Sequence, residues 1–144
     1  MSIPPFQEDG LLPLGLHLAE MNEIAERFGS STPRRQTLFE RLRMFVDLAQ
    51  HCGAQRMFVN GSYVTAKAVP DDVDVVIWLG ERFLELLLQR DWRALLLKQM
   101  FLTRRPQEAF LVVDEKKWNR WFEFFSLLKQ DPSRRKGLIE VKFQ

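Results

Sequence analysis

Cysteine is nearly absent from this chain: the single Cys52 excludes an internal disulfide framework and fits a reducing compartment. Histidine is almost as scarce, and His17, His51 and Cys52 are too few and too awkwardly spaced for a zinc site. An excess of one charge is missing too. Lys and Arg number 21 against 19 Asp and Glu, and the net charge of +2 gives no global drive toward nucleic acid or an anionic membrane, so any such binding needs a local patch. No uncharged apolar run approaches the ~20 residues that cross a bilayer. The opening MSIPPFQEDG carries acids and prolines where a signal peptide needs a basic and then an apolar segment. A cytoplasmic protein with no membrane partner is the expectation, with Cys52 as a small buried residue.

What is there is the material of an ordinary globular domain. The 144 residues are 46% hydrophobic and 28% charged, with twelve Phe and four Trp, enough for one core and too few for two comfortable ones. The expected organisation is a single domain over 1–144, in which an extended arm and helical extension (about 1–53) precede a motif-bearing sheet. LAEMNEIAERFG places Leu18, Met21, Ile24 and Phe28 at helical spacing and stops at Gly29, suited to a left-handed cap. The strongest helix follows: Thr32 can cap it, Pro33 suits its first turn, Leu38, Leu42, Phe45, Val46 and Ala49 form its apolar face, and Gly53 ends it.

Beyond Gly53 the pattern alternates. AQRMFVNGS and DDVDVVIWL read as strands, 81–101 as helix with a break near Asp91, EAFLVVD as a third strand and EKKWNRWFEFFSLLKQD as a helix with Trp118, Trp121, Phe122 and Phe125 along one side. GLIEVKF is the fourth strand. This order predicts an α/β (α+β) domain with a small mixed sheet covered by helices.

Asp72 and Asp74 open the second strand among Val73, Val75, Val76 and Ile77. Side chains alternate along a strand, so the two carboxylates share a side roughly 6.5 to 7 Å apart along the backbone. Two such groups can converge on magnesium, a hard cation usually held by one or two carboxylates together with substrate phosphates. The Gly61-Ser62 turn upstream supplies backbone N–H groups and a hydroxyl suited to phosphate. Lys67, just before the acids, is a further candidate phosphate contact.

FVNGS followed by DDVDVVI resembles the nucleotidyltransferase superfamily of DNA polymerase beta type, most nearly its minimal single-domain members. The resemblance implies that Gly61 and Ser62 contact the triphosphate and that Asp72 and Asp74 hold metal. Over most of its length, through LPLGLHLAEMNEIAERFG, NGSYVTAKAVPDDVDVVIW and RRKGLIEVKF, the chain also looks like an uncharacterised bacterial family of small nucleotidyltransferase-like proteins. Three features depart from the superfamily pattern. Nine residues separate Ser62 from Asp72, Ala66 stands where many members have a second glycine, and the third metal-binding carboxylate is not evident. Glu108 and Asp114 are equal candidates for that catalytic acid, Glu140 stands behind them, and none of the three is the remaining alternative.

The leading expectation is a magnesium-dependent nucleotidyltransferase that moves a nucleoside monophosphate from a triphosphate, ATP first, onto a protein or RNA hydroxyl. Because minimal family members often work in toxin-antitoxin or phage-defence pairs, the resemblance implies a protein or tRNA acceptor. The alternative is a catalytically inactive module of the same fold that acts by binding a partner protein. A homodimer is permitted but not demanded. Blander readings stand beside these. The acids can be a solvated strand entry, the aromatic stripe is core packing, and Arg104 with Arg105 and Arg134, Arg135 with Lys136 read as exposed loop charges. Arg34 and Arg35 oppose the macrodipole in the first turn of their helix and should pair with acids or reach phosphate.

Overall fold

The computed structural model describes residues 3–144, so Met1 and Ser2 of the expected arm and domain lie outside the described residues. Five strands form one mixed sheet: β1 (Leu16–Ala19), β2 (Arg56–Asn60), β3 (Asp74–Trp78), β4 (Ala109–Val112) and β5 (Leu138–Val141), in the order β1-β5-β2-β3-β4. The β5, β2 and β3 strands pair antiparallel, while β1 runs parallel to β5 and β4 parallel to β3. The helices are α1 (Met21–Phe28), α2 (Pro33–His51), α3 (Glu81–Leu88), α4 (Trp92–Leu102) and α5 (Glu115–Ser126). Parallel strands need a long crossover, and α3 and α4 supply it between β3 and β4. The α/β architecture expected from the alternation of elements is the one observed.

Both sheet faces are covered, which is why the central strands read as continuous apolar runs. Val75, Val76 and Ile77 are fully buried, as are Met57, Phe58 and Val59 beside them. On one face Phe58 meets Trp118, Phe122 and Phe125 of α5 edge-on, and Trp78 and Phe110 meet Trp118 and Trp121. The aromatic stripe is therefore core packing. The α2 and α4 helices contact each other and reach β3 and β4, respectively. Capping follows the sequence: Thr32 accepts from the Arg35 N–H at the start of α2, and Asp91 caps α4 after the expected break. Cys52 is buried, and that burial raises its thiol to about 11, which keeps it protonated and inert.

Two expectations fail near the N-terminus. The segment expected to be an extended arm over the domain surface instead adds β1 to the sheet, and Leu18, placed on the helical face, is a half-exposed strand residue. Pro13 and Gly15 hide its periodicity, and β5, more than a hundred residues away, supplies the pairing that makes it a strand. Gly137 makes the join: its N–H donates to the Leu12 carbonyl at 2.9 Å, and a Cβ there would stand 1.9 Å from the Pro13 oxygen. Gly29 does not take a left-handed cap, since its φ is −106°. It serves close packing, because a Cβ would meet the Phe39 ring at 2.8 Å.

The fold is tied to the Gly-Ser loop by Arg35, which is only 5% exposed. Its guanidinium donates to the carbonyls of Phe28 (3.1 Å), Tyr63 (2.7 Å), Thr65 (2.6 Å) and Lys67 (2.8 Å). Arg34 takes the carbonyls of Pro70 (3.0 Å) and Asp71 (2.6 Å). Both arginines thus bind backbone, correcting the expectation of acids or phosphate. A buried carbonyl left without its donor costs about 1–3 kcal/mol. Arg35→Met should therefore lower unfolding stability in urea by about 3–5 kcal/mol, and Arg35→Lys, lacking the planar fork, should recover less than half of that. Wild-type stability in Arg35→Met would show that the loop holds without the fork.

Candidate functional site

The end of β2 and the start of β3 form one side of a cleft of about 800 Å³. Gly61 leaves β2 at φ 101°, a backbone region that favours glycine, and a Cβ on it would lie 2.8 Å from the Asp72 carbonyl oxygen. A short 3-10 turn, Ser62–Val64, follows. Ser62 is a clip for the acids. Its N–H (2.9 Å) and hydroxyl (3.0 Å) both donate to Asp72 Oδ1, and its oxygen accepts from the Asp71 N–H at 2.8 Å. The two donors expected to face phosphate are therefore directed at Asp72.

Asp74 follows two residues later on the same side, within hydrogen-bonding reach of Asp72. Burial pushes its carboxyl up to about 7. The Asp72 charge, the hydrogen bond between the two acids and the more distant Glu108 charge add to this, while Lys129 opposes it. Lys129 and Lys136 line the same cleft, together with Leu11, Phe124, Phe125 and Leu128. Lys136 is half-buried, and that burial lowers its pKa against the attraction of Asp72 and Asp74. Two clustered acids thus face two lysines across a partly apolar cavity of a size that small-molecule sites commonly have.

The remaining candidates separate. Glu108 is beside Asp74, because β4 pairs parallel with β3 and the Val75 N–H donates to the Glu108 carbonyl at 2.8 Å. Its carboxylate is held by the Arg41 guanidinium of α2, which donates from both Nε and Nη2. Asp114 does not belong to the site: it sits past the other end of β4 and caps α5, accepting from the Lys117 N–H at 2.8 Å. Glu140 is held by Arg56 in two hydrogen bonds of 2.7 Å. Lys67 is outside the cleft lining and pairs with Asp71. Among the described residues, no group of three or more His, Cys, Asp or Glu is arranged to hold a metal ion.

Sequence reasoning missed Asn60, Lys129 and Lys136. Lys136 lay in a basic run read as exposed, and only its position two residues before a central strand hinted otherwise. Arg134 of that run does sit on the surface, paired with Asp9 of the N-terminal arm. Arg104 bonds Gln107 at 2.8 Å in an exposed loop.

Fold and cleft together define a small mixed α/β domain with a carboxylate pair at the edge of a lysine-lined cavity. The chain matches, over residues 4–142, a family described as "Family of unknown function (DUF6932)", and it belongs to that family. No curated protein matches it, and no solved structure does. Among the described residues, no helix is long and apolar enough to cross a membrane.

Asp74 makes stability depend on pH in a definite direction. Its folded pKa of about 7 exceeds the unfolded value of about 3.9, so the folded state binds the extra proton between those limits and stability falls as pH rises through them. The slope from this group is at most about 1.4 kcal/mol per pH unit. In urea denaturation at a series of pH values, Asp74→Asn should gain on the metal-free wild type from pH ~4 to ~7, with the gap constant above. A gap independent of pH would show that Asp74 ionises normally.

Proposed function

We propose that this protein is a magnesium-dependent nucleotidyltransferase that moves a nucleoside monophosphate from a triphosphate to a hydroxyl of a protein or RNA. The carrying observation is the juxtaposition of Asp72 and Asp74, side by side and, among the described residues, with no basic side chain in salt-bridge contact, at a cleft that also presents Lys129 and Lys136. The resemblance of FVNGS and DDVDVVI to the polymerase beta type supports the same reading.

The acids fit a magnesium ion in kind. A half-buried carboxyl whose pKa burial and a neighbouring carboxylate raise to about 7, against the opposing charge of Lys129, gains from a cation, and oxygen ligands are what that ion takes. Asp72 and Asp74 would hold it, and the bound ion would draw charge from the phosphate oxygens. Lys129 and Lys136 would bind the triphosphate tail, and Phe124 and Phe125 give the cleft an apolar wall for the nucleoside. The acceptor oxygen would bond to the α-phosphorus as its bond to the pyrophosphate oxygen breaks. The acceptor's proton would pass to Glu108, the one of the three candidate acids that stands beside Asp74.

A second reading has its own observations. The Arg41 fork on Glu108 withholds the third acid, which favours a partner-binding module of the same fold. Leu84, Leu88 and Trp92, at 60%, 85% and 68% exposure on α3 and α4, would serve such a module, since a run of exposed large apolar residues marks an interaction surface.

Calorimetry with each nucleoside triphosphate and magnesium separates these readings. Wild type should bind, ATP first, and the double variant Asp72→Asn with Asp74→Asn should lose at least tenfold in affinity. Transfer of label from the bound nucleotide to protein or tRNA would establish the enzyme; binding without transfer would establish the module. A folded wild type that binds no triphosphate would sink the nucleotide reading.

A further inference from the structure

Among the described residues, two buried side-chain polar atoms have no hydrogen-bond partner: the Tyr63 hydroxyl and Asn60 Oδ1. Tyr63 lies inside the core against Phe28 and beneath Arg35 and is not among the residues that line the cleft. Asn60 is different. It is 6% exposed and lines the cleft, and it stands directly across the β2–β3 pairing from Asp74. Directly opposed residues project to the same sheet face with Cβ atoms about 4.5–5.5 Å apart. The carboxamide therefore shares one floor with the carboxylates of Asp74 and Asp72.

Leaving a buried oxygen unpaired costs about 1–3 kcal/mol, and a leucine, with the same branched heavy-atom skeleton, would carry no such cost at the end of an apolar strand. Such an acceptor beside two acids calls for a positively charged or hydrogen-donating occupant. Of the donors about the cleft, the Ser62 N–H and hydroxyl go to Asp72, the Arg41 fork to Glu108 and the Arg35 fork to backbone carbonyls, and neither Lys129 nor Lys136, which line the same cleft, bonds Asn60 Oδ1. A divalent cation fits this set, because hard cations take carboxamide oxygens along with carboxylates.

We propose that Asn60 supplies a neutral third oxygen ligand to a divalent cation held by Asp72 and Asp74, in the role that a third carboxylate would otherwise fill. The two ends of the carboxamide are nearly equal in size, so a half-turn about its terminal bond moves the oxygen to the other side without a change of volume. The inference rests on the metal-binding reading of the two aspartates. It adds that Glu108 need not leave Arg41 for a three-oxygen site to form, and that the ion binds without nucleotide.

Mn²⁺ alone is the probe, since it takes the same oxygen ligands and its unbound form can be counted by electron paramagnetic resonance. Titration of the full chain should show Mn²⁺ bound, weakened about tenfold or more in Asn60→Leu and tightened in Asn60→Asp, which adds a charge. The metal-free melting temperature of Asn60→Leu should equal or exceed that of wild type, because an unpaired polar group has been removed. Wild-type Mn²⁺ affinity in Asn60→Leu, with binding lost in Asp72→Asn and Asp74→Asn, would overturn the role of Asn60 and leave the aspartates standing. No Mn²⁺ bound by wild type, or equal binding by the aspartate variants, would overturn both. Should Asn60→Leu fail to fold, the comparison of Asn60→Asp and Asn60→Ser with wild type decides in the same way.

Discussion

A buried guanidinium held by backbone carbonyls sets the geometry on which the cleft depends. Arg35 is compensated by four carbonyl oxygens, which come from the end of α1 and from the loop beyond β2. Guanidinium is the cation suited to this, being planar, multiply donating and less strongly hydrated than ammonium. Its burial lowers its pKa, yet the ordinary value is so high that the group stays charged. Fixing the carbonyls of Tyr63 and Thr65 fixes the 3-10 turn that begins at Ser62. Ser62 in turn aims its two donors at Asp72. One side chain near the start of α2 thereby orients an acid 37 residues later, just before β3 begins.

The use of carbonyls rather than acids has an electrostatic consequence. Arg34 and Arg35 could each have neutralised an aspartate, and both grip backbone instead. Lys67 is drawn away by Asp71, and Arg41 by Glu108. The positive charge near the acids is left to Lys129 and Lys136, neither of which forms a salt bridge with them among the described residues. Asp74 is therefore pushed toward neutrality, whereas an acid with an adjacent guanidinium would be pulled the other way. One perturbed carboxylate of this kind in a cleft marks a candidate site, which a fully solvated strand entry would not supply.

Much of this was legible in the sequence where the controlling interactions are local. The Thr32 cap with Pro33 and the Asp91 break are matters of neighbouring residues and stand as read, whereas β3 begins only at Asp74, so Asp72 lies in the loop before the strand rather than in it. Most of the failures involve distant partners. β1 exists because β5 pairs with it, Gly29 is small because Phe39 comes near, and Lys136 reaches the acids because β5 lies beside β2. Glu108 and Asp114 share a parity on β4, so alternation alone could not choose between them. An aspartate three residues before a helical lysine N–H is, however, a capping pattern, and that local signal separates the two.

The Ser62 clip also bears on how the cleft would accept an anion. A Gly-Ser turn is suited to phosphate because its N–H and hydroxyl are unhindered by side chains, but here both donors already have a carboxylate acceptor in Asp72 Oδ1. An incoming phosphate that used them would displace that oxygen and add negative charge beside two acids. Such an exchange is unfavourable unless a cation enters with the phosphate and takes over the released carboxylate. With its ion, the phosphate could occupy the turn while Asp72 swings from the clip to the metal; alone, it would meet repulsion from Asp72 and Asp74. Under the proposed function the clip would make the loop a selector for the metal complex of a phosphate over the free anion, because the two Ser62 donors that a phosphate needs are already taken by Asp72.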